Sequence, residues 1–204
     1  IRPASQVRII GGVWKRTPLP VADVPGLRPT PDRVRETVFN WLGQDLTGLR
    51  CLDLFAGTGA MSFEAASRGA ECVLGVEQSA PAYRLLQATQ EKLKATQIHL
   101  LRADAEKIAR DLQARGEQFD IIFLDPPFHQ GWAEKILPLA ACLLAPSGRL
   151  YWEADTALTD DQAQHYGLQL QRLGQARLVA AADEDAATSL AGCSAASTAA
   201  SSGK

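Results

Sequence analysis

One stretch, Arg50-Cys-Leu-Asp-Leu-Phe-Ala-Gly-Thr-Gly-Ala60, restricts this chain more than any other. A short apolar run, Cys51 to Phe55, stops abruptly at small residues. That pattern predicts a buried parallel strand that enters a tight turn and then a helix. Gly57 and Gly59 carry no Cβ atoms, so a ligand can approach the backbone there. The helix that follows directs its free N–H groups and positive dipole end at the same point. Asp53 is held at the strand end beside the turn. The stretch therefore reads as a site for a nucleotide-type cofactor.

A dinucleotide fingerprint requires a third glycine, in the pattern Gly-x-Gly-x-x-Gly. Ser62 occupies that position. An acidic partner is present, because Glu77 lies twenty residues after Gly57 and closes a second apolar run, Cys72 to Val76. A carboxylate at the end of the second strand suits the two hydroxyl donors of a ribose. S-adenosylmethionine has the ribose but no pyrophosphate to need the third glycine, so it fits better than a dinucleotide.

From residue 50 onward, strand and helix patterns alternate. Strands are predicted at 50–55, 72–76, 97–101, 119–124 and 149–153. Helices are predicted at about 59–68, 81–94, up to 114, and 132–144, with Pro138 in a bend. This alternation implies right-handed crossovers and a mainly parallel, Rossmann-like α/β sheet with helices on both faces. Ligands of such sheets bind beyond the carboxyl ends of the strands. Asp53, Glu77, Asp104 and Asp125 all fall at such ends. Residues 166–173 and 177–179 can pair as a last hairpin. Residues 181–204 are Ala/Ser-rich, with almost no large apolar side chains, and are expected to be disordered.

Ahead of this region lies an extension at 1–45. Residues 1–35 carry Arg2, Arg8, Lys15, Arg16, Arg28, Arg33 and Arg35 against Asp23 and Asp32, a local charge of +5 in a chain whose formal net charge is −2. Val7 to Ile10 and Val13 to Leu19, joined at Gly11-Gly12, predict an antiparallel pair. Thr30 is a suitable N-cap and Pro31 a suitable first-turn residue for a helix whose buried face carries Val34, Val38, Trp41 and Leu42, with Arg33 and Glu36 on the other side. The arm is either an ordinary solvated surface or a nucleic-acid contact through Arg8, Lys15, Arg16, Arg28, Arg33 and Arg35, with Trp14 available to pack or stack. The main α/β domain is placed at 46–180.

The remaining composition sets outer bounds. The length of 204 residues fits one domain with a small appendage. No run approaches a membrane span of roughly 18 apolar residues. The start, Ile1-Arg-Pro-Ala-Ser, lacks the apolar segment of a signal peptide. Cys51, Cys72, Cys142 and Cys193 are too scattered to hold a metal, and read as thiols of a reducing, cytoplasmic compartment. A monomer is expected.

Asp125-Pro-Pro-Phe128 follows the fourth strand directly and carries the chemistry. The exocyclic amine of a nucleobase is conjugated, so its lone pair is a poor nucleophile. A carboxylate at Asp125 and the carbonyl of Pro126 can accept both N–H bonds and turn the lone pair toward an electrophile. Pro126 and Pro127 fix φ and offer no competing N–H donors. Phe128 can stack on the base. Catalysis is then mostly positioning, with the reactive methyl supplied by the cofactor. His129 reads as a loop residue, and Glu153 either lines the site or is solvated.

Asp53-Leu-Phe-Ala-Gly-Thr-Gly59, Glu77 and Asp125-Pro-Pro-Phe128 resemble the S-adenosylmethionine-dependent amino-methyltransferases. More narrowly, Arg8-Ile-Ile-Gly-Gly12, Arg28 to Glu36, Phe39-Asn40 and Glu64 to Ala70 resemble the bacterial guanine-N2 methyltransferases of small-subunit (16S) ribosomal RNA, a likeness covering about 7–155. The resemblance implies methyl transfer to a guanine amine in ribosomal RNA, free or within a 30S particle. It also implies that Asp53, Phe55, Gly57, Gly59, Glu77, Asp104 and Ala105 surround the cofactor, with Asp104 serving the adenine. Gln87 and Gln90 depart from an Asn common in the family, and the segment beyond Arg177 departs from its usual closing strand. Competing readings are a DNA adenine-N6 methyltransferase and a non-catalytic RNA-binding module. The first usually has a separate target-recognition region, for which this chain has no room. The second leaves Asp125 to Phe128 without a purpose. A protein-glutamine methyltransferase fits less well, since that group resembles Asn-Pro-Pro-Tyr at this motif.

Overall fold

A computed structural model describes residues 7–25, 27, 29–127, 131–153, 158–173 and 176–181. The elements run β1 (Val7–Arg8), β2 (Pro18–Leu19), α1 (Asp32–Leu42), β3 (Arg50–Asp53), α2 (Ala60–Ser67), β4 (Cys72–Val76), α3 (Ala80–Leu93), β5 (Ile98–Leu101), α4 (Ala105–Ala114), β6 (Phe119–Leu124), α5 (Trp132–Leu143), β7 (Leu144–Trp152), α6 (Asp160–His165), β8 (Leu168–Leu173) and β9 (Ala176–Ala181). Seven strands form one sheet in the order β5-β4-β3-β6-β7-β9-β8. The first five are parallel, and β9 pairs antiparallel with both β7 and β8. This is the expected Rossmann-like architecture, and its strand order reverses at β3, whose neighbours are β4 and β6.

Side-chain alternation along the central strands explains the layering. Cys51, Ile121 and Phe123 face one core cluster, together with residues of α1, α2 and α3. Leu52, Ile122 and Leu124 face the other, together with α4, α5 and α6. Successive residues of a strand point to opposite faces, so a continuous apolar run is what a sheet covered on both sides demands. Val7, Ile9 and Leu19 of the amino-terminal extension join the first cluster, so the extension shares the core of the main sheet.

Several expectations shift on contact with the structure. The extension forms a two-stranded sheet of only Val7–Arg8 against Pro18–Leu19. Residues 13–16 turn, with Arg16 at φ 71°, and the N–H of Val13 donates to the Ser67 carbonyl at 2.8 Å. Thr30 is not the cap of α1, because Pro31 takes that place and no side chain caps the helix. Pro138 lies inside α5 without ending it. β7 starts at Leu144 rather than 149, and a register shift against β6 absorbs the extra residues. The last hairpin is present, with β9 between β7 and β8 and β8 at the sheet edge. The tail expectation for 181–204 lies outside the described residues except for Ala181, which ends β9. No described helix is long and apolar enough to cross a membrane.

Candidate active site

Backbone hydrogen bonds lace the tips of the parallel strands together. The N–H of Leu54 donates to Phe123 O at 3.3 Å, that of Ala56 to Val76 O at 2.9 Å, that of Glu77 to Leu101 O at 3.0 Å, and that of Glu153 to Leu124 O at 2.9 Å. Above them opens a cleft of about 720 Å³. Asp53, Phe55, Gly57, Glu77, Ala105, Asp125, Pro126 and Pro127 all line it. The cofactor residues and the Asp-Pro-Pro turn, separated by up to 74 positions in sequence, thus share one cavity.

Glu77 builds the cofactor side. Its Oε2 accepts the N–H of Gly57 at 2.8 Å, and its Oε1 accepts the N–H of Ser79 at 2.6 Å. One carboxylate therefore ties the glycine turn after β3 to the start of α3. Gly57 sits at φ +53°, and a Cβ there would come within 3.0 Å of Leu27. Gly59 is needed for a different reason from the one expected. At φ +77° its missing Cβ would strike Phe63 and Leu86 at 2.6 Å, so it serves packing inside the fold and does not line the cleft. Ser62 is buried and donates to Asp53 Oδ2 at 2.6 Å. Asp104 does not line the cleft either. Its Oδ1 caps α4 by accepting the N–H of Lys107 at 3.0 Å, while Ala103 and Ala105 on either side form the wall.

Two carboxyls, the buried Asp53 and the half-buried Asp125, dominate the electrostatics. Burial pushes Asp53 up to about 6, against the pull of the Ser62 hydroxyl. Asp125 is pushed up to about 7, chiefly by burial, then by the charge of Glu153 and more weakly by Asp53. Thr30 opposes that rise, since its hydroxyl donates to Asp125 Oδ2 at 3.0 Å. Glu153 in turn accepts a hydrogen bond from the buried Tyr151 hydroxyl. Perturbed carboxyls in a cleft make it a candidate chemical site.

Sequence reasoning missed much of the cavity wall. Val24, Pro25, Leu27, Pro29 and Thr30 close one side, and Trp132 another, its ring edge-on to Phe55 at 4.9 Å. Trp132 opens the helix that follows the Asp-Pro-Pro turn, which was the one local hint. Phe128 and Arg28 lie outside the described residues.

The basic arm divides. Lys15, Arg16 and Arg33 are exposed, and Arg8 is exposed with its Nε 3.1 Å from Asp32. Arg35 is a correction to the expected RNA surface, because it is fully buried. It falls on the same helical face as Val38 and Phe39 and pairs with Asp32 at 2.5 Å and with Glu64 at 3.5 Å. Trp14 packs, half-buried, against the core. Among the described residues, no group of three His, Cys, Asp or Glu side chains could hold a metal ion.

The residues fit S-adenosylmethionine on their own chemistry. A carboxylate at the end of β4, a turn that presents Gly57 to the cleft, and apolar walls at Val76, Ala103 and Ala105 suit a ribose and an adenine. The fold and cleft place the chain among Rossmann-like methyltransferase folds.

Within that class, the chain belongs to the family described as Conserved hypothetical protein 95, which matches residues 7–180. It is 41% identical over 155 residues to Ribosomal RNA small subunit methyltransferase D of Escherichia coli K12, covering 76% of this chain and 73% of that one. The protein of the same name from Haemophilus influenzae is 38% identical, with 74% and 80% covered. A solved structure from Escherichia coli is 34% identical with a TM-score of 0.73, covering 88% of this chain and all of that one.

Proposed function

We propose that this chain transfers a methyl group from S-adenosylmethionine to the exocyclic N2 of a guanine in small-subunit ribosomal RNA. The observation that carries the reading is that Asp125, Pro126 and Pro127 line the same cleft as Asp53, Gly57 and Glu77. The kinship with small-subunit ribosomal RNA methyltransferases supports the substrate class. When bound, the cofactor supplies an electrophilic methyl group on a sulfonium. The chain's own residues do the rest. Glu77 and the Gly57 turn hold the ribose end, and Asp53 adds a buried acceptor beside them. Asp125 and the carbonyl of Pro126 accept the two N–H bonds of the target amine and hold its lone pair toward the methyl. Phe128, Lys15, Arg16 and Arg33 are assigned to the RNA, the first by stacking and the others on phosphates. The chain acts as a monomer in the cytoplasm. The test is transfer of labelled methyl to small-subunit ribosomal RNA followed by nucleoside analysis. N2-methylguanosine is the expected product, and N6-methyladenosine or no label in RNA would overturn the reading.

A further inference from the structure

Thr30 stands between two prolines, in Arg28-Pro-Thr-Pro31. A residue ahead of proline is restricted to extended conformations, and the flanking rings fix φ on both sides, so Thr30 has little freedom of its own. It is buried, and its two polar oxygens face different partners. The carbonyl accepts Arg35 Nε at 3.2 Å, while the hydroxyl donates to Asp125 Oδ2 at 3.0 Å across 95 positions of sequence. Arg35 is itself held by Asp32 at 2.5 Å and Glu64 at 3.5 Å. Glu64 also accepts the N–H groups of Ile10 and Gly11 at 2.7 and 2.8 Å. A continuous run of polar contacts thus leads from the amino-terminal arm to the carboxylate in the cleft.

We propose that Thr30 is a positioning residue for methyl transfer: clamped by Arg35, its hydroxyl occupies Oδ2 of Asp125 and fixes the carboxylate so that Oδ1 takes the substrate amine. This rests on the reading of Asp125 as the amine acceptor. Without the hydroxyl the carboxyl can rotate about its last bond, and a misaligned acceptor no longer turns the amine lone pair toward the methyl. The hydroxyl also favours the ionised form. The other groups acting on Asp125, Asp53 at the end of β3 and Glu153 after β7, both oppose ionisation. Removing the hydroxyl therefore leaves nothing among the described side chains to offset them.

The experiment compares full-length wild type, T30V and T30S. T30V keeps the shape and removes the donor, and T30S restores it. T30V is expected to lower kcat about tenfold, the scale of a hydrogen bond to a charged group. Its acid limb should move to higher pH, with affinity for S-adenosylhomocysteine unchanged within about twofold. T30S should recover most of the lost rate and return the limb. A carbon-13 titration of the Asp125 carboxyl, which needs no RNA, should show the same upward move in T30V and its reversal in T30S. An unshifted Asp125 titration in T30V overturns the proposal, as does equal loss of rate in T30V and T30S. If wild type fails to methylate RNA, the functional reading falls while the titration still decides the role of Thr30.

Discussion

Two regions of this molecule bury carboxylates, and they do so in opposite ways. Where the amino-terminal arm docks on α2, Glu64 lies fully buried between two arginines, with Arg35 at 3.5 Å and Arg68 at 2.8 Å. Backbone N–H groups of Ile10 and Gly11 take up its remaining capacity, and the Arg68 guanidinium lies over the Phe39 ring at 4.9 Å. At the strand tips, Asp53 is buried and Asp125 half-buried, yet among the described residues no ion pair includes either. Each has one hydroxyl donor, from Ser62 and Thr30. A matched buried charge holds parts together, whereas an unmatched one is kept at a cost in stability, which singles out a candidate ligand site. On this contrast the arm site is scaffold, and the cleft is the candidate for the proposed chemistry.

Removing a charge should have opposite consequences in the two places. Asp125→Asn is expected to lower methyl transfer at least about a hundredfold, because an amide cannot accept both of the contacts a carboxylate can. The same change should stabilise the fold. The folded carboxyl titrates at about 7 against an ordinary 3.8, so between those values the folded chain holds a proton the unfolded chain has lost. Stability therefore falls as pH rises through that window. Asn removes the penalty, so chemical denaturation should show a gain of about 1–3 kcal/mol near pH 8 that disappears near pH 4. A loss of stability at pH 8 would break the contrast.

Glu64→Ala should do the reverse. It leaves Arg35 and Arg68 buried without their shared partner, and a destabilisation of about 3–5 kcal/mol is expected by the same denaturation measurement. A variant as stable as wild type would mean that the arm is held by packing alone. Glu77→Ala sharpens the picture on the cofactor side. It removes the acceptor for Gly57 and Ser79 as well as for a ribose, and calorimetry should show affinity for S-adenosylhomocysteine reduced roughly tenfold or more. The smallest effect is reserved for Arg33→Ala and Lys15→Ala, both exposed. Each should weaken RNA binding and lower the salt slope by about one. An unchanged slope would remove them from the RNA surface.

The same contrast explains what the sequence could disclose. β4 and β6 were legible to the residue, because a run covered on both faces must be continuously apolar and must stop where it stops being covered. Asp53, Glu77 and Asp125 were legible because strand ends in such sheets are where ligands sit. The arm was misread where distant partners decide. Arg35 counts as basic surface in any local tally, yet Glu64, 29 positions away, draws it inside. Thr30 has every local mark of a helix cap, and its hydroxyl goes instead to a residue of β6's exit turn. Gly59 was assigned to ligand approach, but Phe63 and Leu86 fill the space its Cβ would need.

The most direct measurement is the initial rate of methyl transfer from labelled S-adenosylmethionine to small-subunit ribosomal RNA, followed from about pH 5 to pH 9 at saturating cofactor. On the proposed reading Asp125 accepts the amine best when ionised, and burial pushes its carboxyl up to about 7. The account predicts a rate that climbs with pH through that region and then levels. A rate that stays flat across the range would contradict it.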